Sequence, residues 1–167
     1  LWSWEGDPLA ASIFSALKIQ PIPLQVADVF TALQTGLIDG VYSPPLAMIA
    51  LQWFTQINYY LNIPLGNASG AIIVSEKKFN ALNLTDQEIL REKGAYYMSE
   101  LQNRSRTDNS VAIEVLKDRG VSAINLNLIE EQKIRTAGSK SRQTLVSKLY
   151  PQELLTRIEL AVSQMRN

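Results

Sequence analysis

The stretch LQTGLIDGVYSPP, residues Leu33 to Pro45, decides how the chain is read. It runs as the end of a helix, a glycine stop at Gly36, a short strand LIDGVY, and a new helix start. Ser43 is placed to cap that helix and Pro44 to open it, where a proline loses no hydrogen bond. A strand feeding straight into a capped helix is the repeating unit of an α/β sheet, and ligands bind such sheets at the carboxyl ends of strands. Upstream, Val26, Val29, Phe30 and Leu33 recur at helical spacing. Before them IQPIPL is extended, its prolines fitting an edge strand. Leu9, Ile13, Phe14 and Leu17 mark an earlier helix, opened by Asp7 as N-cap and Pro8 as first helical residue. LWSW is the first strand and EGD its turn. Three strand–helix alternations in about 55 residues predict a mostly parallel α/β sheet.

Downstream, Leu46, Ile49, Ala50 and Trp53 continue as a third amphipathic helix. INYYLNIPL and GAIIVSEKKF are β-rich runs on either side of GNASG, a loop of turn formers. NLTDQEIL opens a long helical region, with Thr85 and Glu88 spaced as a capping box. Its stripes are Ile89, Tyr96, Tyr97 and Leu101, then Val111, Ala112, Val115 and Leu116. The polar QNRSRTDNS between them is either a solvated helix crossing or a break. Gly120 ends the region, VSAINL is the last strand, and the remainder is helical with a break expected at AGSKS.

Composition narrows the function. The chain has 167 residues, 46% hydrophobic and 19% charged, with 16 basic and 16 acidic side chains. That is an ordinary globular composition without the basic field that nucleic-acid binding relies on. Cysteine and histidine are both absent. This removes disulfides, thiolate and imidazole zinc sites, and every triad built on histidine. No catalytic residue, cofactor or metal is therefore assigned. No apolar run approaches the ~18 residues of a membrane span. The opening LWSWEGDP lacks a basic start and a long apolar run. It begins on a strand, so the chain reads as a piece whose beginning lies elsewhere. The sequons at Asn67, Asn83 and Asn103 are taken as chance.

Two strand-to-helix corners offer chemistry: WSWEGDP and DGVYSPP. Each presents backbone N–H groups and aromatic side chains at a rim. Glu5 and Asp7 sit near a helix start, where acids serve as caps and dipole partners or hold a cation.

Residues 28–54, DVFTALQTGLIDGVYSPPLAMIALQWF, resemble the signature stretch of the periplasmic substrate-binding proteins of TRAP transporters, the DctP type of solute-binding family 7. The run from Val29 to Gly36, followed by Ile38, Asp39 and Gly40, matches that pattern nearly letter for letter. GAIIVSEKKFNALNLTDQEIL is similar to a later family segment in the same order. The resemblance covers residues 1 to about 125 well and implies a two-lobed α/β clamp closing on a small organic acid. On it, residues 1–65 form the periplasmic-binding-protein-like lobe, with a mostly parallel sheet flanked by helices. Residues 66–120 supply a crossover strand and long helix, and residues 121–167 the last strand and long C-terminal helices.

The same resemblance implies solute capture in the periplasm and delivery to TRAP membrane permease subunits, with no nucleic acid and no catalysis. An isolated piece would expose apolar surface and form a dimer. One departure stands out: the family's carboxylate-clamping arginine falls at Trp2, and Tyr42 and Ser43 occupy the third-strand corner. The nearest base is Lys18, at the far end of a helix. The expected ligand contacts are thus Trp2, Trp4, Glu5, Tyr42, Ser43 and, from the loop between the β runs, Asn67. The solute stacks on Trp2 or Trp4 with hydrogen bonds from Tyr42 and Ser43, or is a carboxylate bridged to Glu5 through a cation. The alternatives are a small-molecule sensor domain, or an enzyme using Glu5, Asp7 or Asp39. Asp39 reads first as structural, bonding the turn beside Gly40.

Overall fold

In the computed structural model the described residues are 1–66 and 70–165. Two short strands open the chain, β1 (Trp2–Trp4) and β2 (Ile22–Leu24), paired in parallel with Trp2 opposite Ile22 and Trp4 opposite Leu24. Parallel neighbours need a crossover, and α1 (Pro8–Ala16) supplies it. Asp7 caps α1 as the sequence predicts: its Oδ1 accepts from the N–H groups of Leu9 and Ala10 at 3.1 and 3.0 Å, with Pro8 at the first position. Next come α2 (Val26–Gln34), α3 (Pro45–Ala50), a 3-10 turn (Trp53–Gln56) and β3 (Tyr59–Leu61). Then follow α4 (Glu76–Asn80), α5 (Leu84–Asp118), β4 (Ser122–Ile124), α6 (Leu128–Leu145) and α7 (Gln152–Met165). β4 pairs with β3.

Contacts group the residues into two units that interleave in sequence, whereas the spans 1–65, 66–120 and 121–167 read from sequence are consecutive. The first unit holds Leu1–Tyr42, Thr55–Ile57 and Ile124–Asn167. The second holds Ser43–Phe54 and Asn58–Ala123. In the first unit, Phe14, Val29, Ala32, Ile38, Ala137 and Leu145 are buried. α1 packs on α6, with the Ser12 hydroxyl 3.3 Å from the Ser141 carbonyl and 2.9 Å from the Thr144 hydroxyl. The break expected at AGSKS is not there, because α6 runs unbroken through residues 137–141. Ala137 and Ser141 are buried, and their small side chains allow close approach to a neighbouring helix.

The strand expected over LIDGVY is absent as well. Ile38 is buried and Trp2 donates its N–H to the Gly40 carbonyl at 2.8 Å, as in the first rung of a ladder. At the next rung the Trp4 N–H is taken by the Tyr42 hydroxyl, at 3.3 Å, and the ladder stops. Gly36 ends α2 as predicted, at φ +71°.

In the second unit α3 packs on α5. The expected cap from Ser43 fails: its hydroxyl donates to the Pro44 carbonyl at 3.2 Å, and α3 begins at Pro45 without a side-chain cap of its own. Asn109 of α5 instead accepts the Leu46 N–H at 3.1 Å, so one orphan donor of α3 is satisfied from another helix. α5 is continuous across QNRSRTDNS, which is therefore a helix crossing. Its cap is Asn83, which bonds reciprocally with Asp86, and not the Thr85–Glu88 pair. Residues 70–75, expected as a strand, carry no ladder; Ile72 and Ile73 are 77% and 90% exposed. Among the described residues this β-rich run has no partner strand, and an unpaired run does not hold as a strand.

Candidate functional site

The corner after β1 is a tight turn. The Asp7 N–H reaches the Trp4 carbonyl at 3.2 Å, and Gly6 takes φ +85°, a conformation in which other residues are strained. Glu5 is exposed on this turn and Trp4 beside it is 54% exposed. Trp2, two residues earlier on β1, is 5% exposed. Its indole Nε1 donates to the Leu24 carbonyl at 3.0 Å and its ring stacks on Tyr42, centroids 5.2 Å apart at 25°. Phe14 meets Tyr42 edge-on at 5.5 Å. The two tryptophans expected together at a rim thus occupy different environments, one inside and one outside.

Tyr42 ties the corner together. Its hydroxyl donates to Asp7 Oδ2 at 2.7 Å and accepts the Trp4 N–H. Asp7 therefore uses one carboxylate oxygen on the helix and the other on the phenol. The charge-assisted bond fixes the first turn of α1 to the end of β1 through one side chain. Gln25, the residue before α2, donates from Nε2 to Glu5 Oε2 at 2.6 Å, which steadies the Glu5 carboxylate. The remaining capacity is specific: an aromatic face at Trp4, a carboxylate at Glu5, and a spare acceptor lone pair on Tyr42.

Partial burial pushes the Tyr42 phenol up to about 12, reinforced by its bond to the Asp7 carboxylate and opposed by the Trp4 N–H. The folded state thus favours the neutral phenol. Its stabilisation is intact below 10.0, the ordinary value, and is lost as pH rises through about 12. A spectrophotometric titration of the six tyrosines should show a late phenolate step near pH 12 that Tyr42→Phe abolishes.

Ser43 belongs to the second unit and is half-buried, and Asn67 lies outside the described residues. Asp39 is exposed, and among the described residues its side chain shows no hydrogen bond to the turn backbone that its structural reading expected. Among the described residues no three acidic side chains gather as a cation site. Sequence reasoning did not pick out Gln25 as Glu5's partner or Tyr42 as Asp7's. Both pairs are separated by 20 or more positions, and no local pattern marks them.

The pattern of the family described as bacterial extracellular solute-binding protein, family 7 (DctP), matches residues 5–149. A solute-binding protein of Roseobacter denitrificans is 42% identical over 55 residues, covering 33% of this chain and 17% of that protein. One from Sulfitobacter is 29% identical over 121 residues, covering 69% of this chain and 35% of that protein. Among solved structures, a TRAP periplasmic solute-binding protein from Desulfovibrio salexigens with bound orotic acid has TM-score 0.74 at 20% identity, covering 93% of this chain and 51% of that one. Another, from Ochrobactrum anthropi with its C-terminus bound in the ligand-binding pocket, has TM-score 0.72 at 18% identity, covering 97% and 50%. The chain spans about half the length of these solved relatives and a smaller share of the curated ones. The fold is the expected α/β one, with small sheets flanked by helices and long C-terminal helices.

Proposed function

Because the chain belongs to the bacterial extracellular solute-binding proteins of family 7, we propose that it captures a small organic acid and hands it to the membrane permease subunits of a TRAP transporter, in the periplasm. The work is differential affinity between states of the protein, with no bond made or broken. Among the described residues no helix is long and apolar enough to cross a membrane, in keeping with a separate membrane partner.

The observation that carries the reading is the braced corner. Trp4 and Glu5 are exposed on a turn that Tyr42, Asp7 and Gln25 hold in place. An exposed aromatic on a rigid turn loses little entropy when a planar solute stacks on it. The relative that binds orotic acid handles a flat ring bearing a carboxylate, and such a solute suits Trp4. Trp2 enters this reading through Tyr42, as the ring beneath it. Glu5 repels a free carboxylate, so an acid is accommodated with its ring on Trp4 and its charge directed away, or through a bridging cation. Ser43 and Asn67 stand as separate proposals, each tested by its own alanine substitution.

Tryptophan-fluorescence titration with orotate as probe, with and without calcium, tests the reading. Binding weakened at least about tenfold by Trp4→Ala is expected, the worth of one good aromatic contact. Unchanged affinity in Trp4→Ala would remove the stacking role. Binding only with calcium, abolished by Glu5→Gln, would assign the bridged arrangement instead.

A further inference from the structure

Away from the Trp4 corner, the end of α1 and one face of α6 enclose an open groove of about 640 Å³ within the first unit. Its floor is small and apolar, Ala16 and Ala137, and its walls carry Lys18, Lys133 and Lys140. No Asp or Glu lines it. In a chain with 16 basic and 16 acidic residues this is a local concentration of positive charge. Among the described residues none of the three ammonium groups forms an ion pair or side-chain hydrogen bond. All three are exposed. Lys18 follows the last turn of α1 at φ +60°. Lys133 and Lys140 are seven residues apart on α6, so their Cα atoms lie on one face about 10 Å apart.

At the start of α6 the groove ends in two large apolar side chains that project outward. Leu128 is 84% and Ile129 71% exposed. The Asn127–Glu130 capping box fixes the turn that carries them: Asn127 accepts from the Glu130 N–H and Glu130 accepts from the Asn127 N–H, each at 3.0 Å. A concave peptide-binding groove draws its large apolar groups inward. Here Leu128 and Ile129 are largely exposed on the same groove that the three lysines line, which suits a surface that dips apolar side chains between lipids while its lysines meet headgroup phosphates.

We propose that this face of α1 and α6 docks on an anionic phospholipid surface, with Lys18, Lys133 and Lys140 on phosphodiester groups and Leu128 and Ile129 inserted at the acyl boundary. The contact is weak and reversible, because three lysines and two side chains fall well short of an anchor. It is independent of which solute is bound.

Flotation of the protein with vesicles of phosphatidylcholine, or of equimolar phosphatidylglycerol and phosphatidylcholine, tests the proposal. Binding is expected to the anionic vesicles only, and to be screened away at about 0.5 M salt. Each Lys→Gln change should weaken it about fivefold, and the triple variant on the order of a hundredfold. Leu128→Ser with Ile129→Ser should weaken it also at low salt. The substituted side chains are exposed, and unchanged thermal melting would show that the variants fold. Absence of binding to anionic vesicles, or equal binding by the triple variant, overturns the proposal. Poly-glutamate binding that the triple variant loses, without vesicle binding, overturns it in favour of an acidic protein partner. None of these outcomes bears on solute affinity, which the lysine variants should leave unchanged.

Discussion

Trp2→Ala is expected to destabilise the protein by about 3–5 kcal/mol, whereas Trp4→Ala, two residues away, should change stability by about 0.5 kcal/mol or less. The two side chains are chemically identical, so the difference tests burial directly. Trp2 is 5% exposed, its indole N–H is spent on the Leu24 carbonyl, and its ring supports Tyr42. Its removal leaves a cavity and an unpartnered carbonyl on β2. Trp4 is 54% exposed, so most of its surface faces water whether or not the chain folds. Urea denaturation of both variants, followed by near-ultraviolet circular dichroism, measures this. Equal losses would mean that Trp2 is not in the interior. The pair also separates two roles, since Trp4→Ala is the variant expected to lose solute while keeping the fold.

Asp7→Ala carries the second large effect, about 2.5–4 kcal/mol. Loss of the N-cap accounts for about 1 kcal/mol, and loss of the charge-assisted bond from Tyr42 for about 1.5–3 more. The neighbouring substitutions apportion it. Asp7→Asn keeps an oxygen for the Leu9 and Ala10 N–H groups and removes the charge facing Tyr42. It should recover roughly the cap's share, about 1 kcal/mol. Tyr42→Phe removes the phenol bond to Asp7 together with the one its hydroxyl accepts from the Trp4 N–H. In a double-mutant cycle, Asp7→Ala and Tyr42→Phe should couple by about 1–2 kcal/mol, because each deletes the same interaction. Additive losses would show that the hydroxyl and carboxylate act independently.

What the sequence made legible is local. Asp7 followed by Pro8 announces a capped helix start, Gly36 and Gly120 mark helix ends at φ +71° and +86°, and both readings rest on residues within one turn of each other. The parallel pairing of β1 and β2 follows from a short strand, a helix and a second strand, with no room for another connection. The Asn127–Glu130 capping box obeys the same local rule, although the sequence reading did not single it out.

The misreadings have a common physical source, competition decided by distant residues. LIDGVY has the composition of a strand, but the Tyr42 side chain takes the hydrogen bond that a third strand would use. Ser43 is well placed to cap a helix, yet Asn109 reaches that helix from more than 60 positions away. AGSKS looks like a break because glycine and serine are weak helix formers. Packing of α6 on α1 outweighs that preference, since small residues are what close approach requires. The site shows the same limit. Aromatic and acidic residues were visible at the corner, but not that Trp2 is buried while Trp4 is exposed, nor that Tyr42 and Asp7 brace the turn.

Isothermal titration calorimetry on a panel of aromatic and aliphatic carboxylic acids, with and without calcium, tests the central claim most directly. The account predicts one-to-one binding of at least one acid, weakened in Trp4→Ala, with the solute recovered unchanged afterwards. Failure of every acid to bind, or conversion of the bound acid into a product, would contradict it.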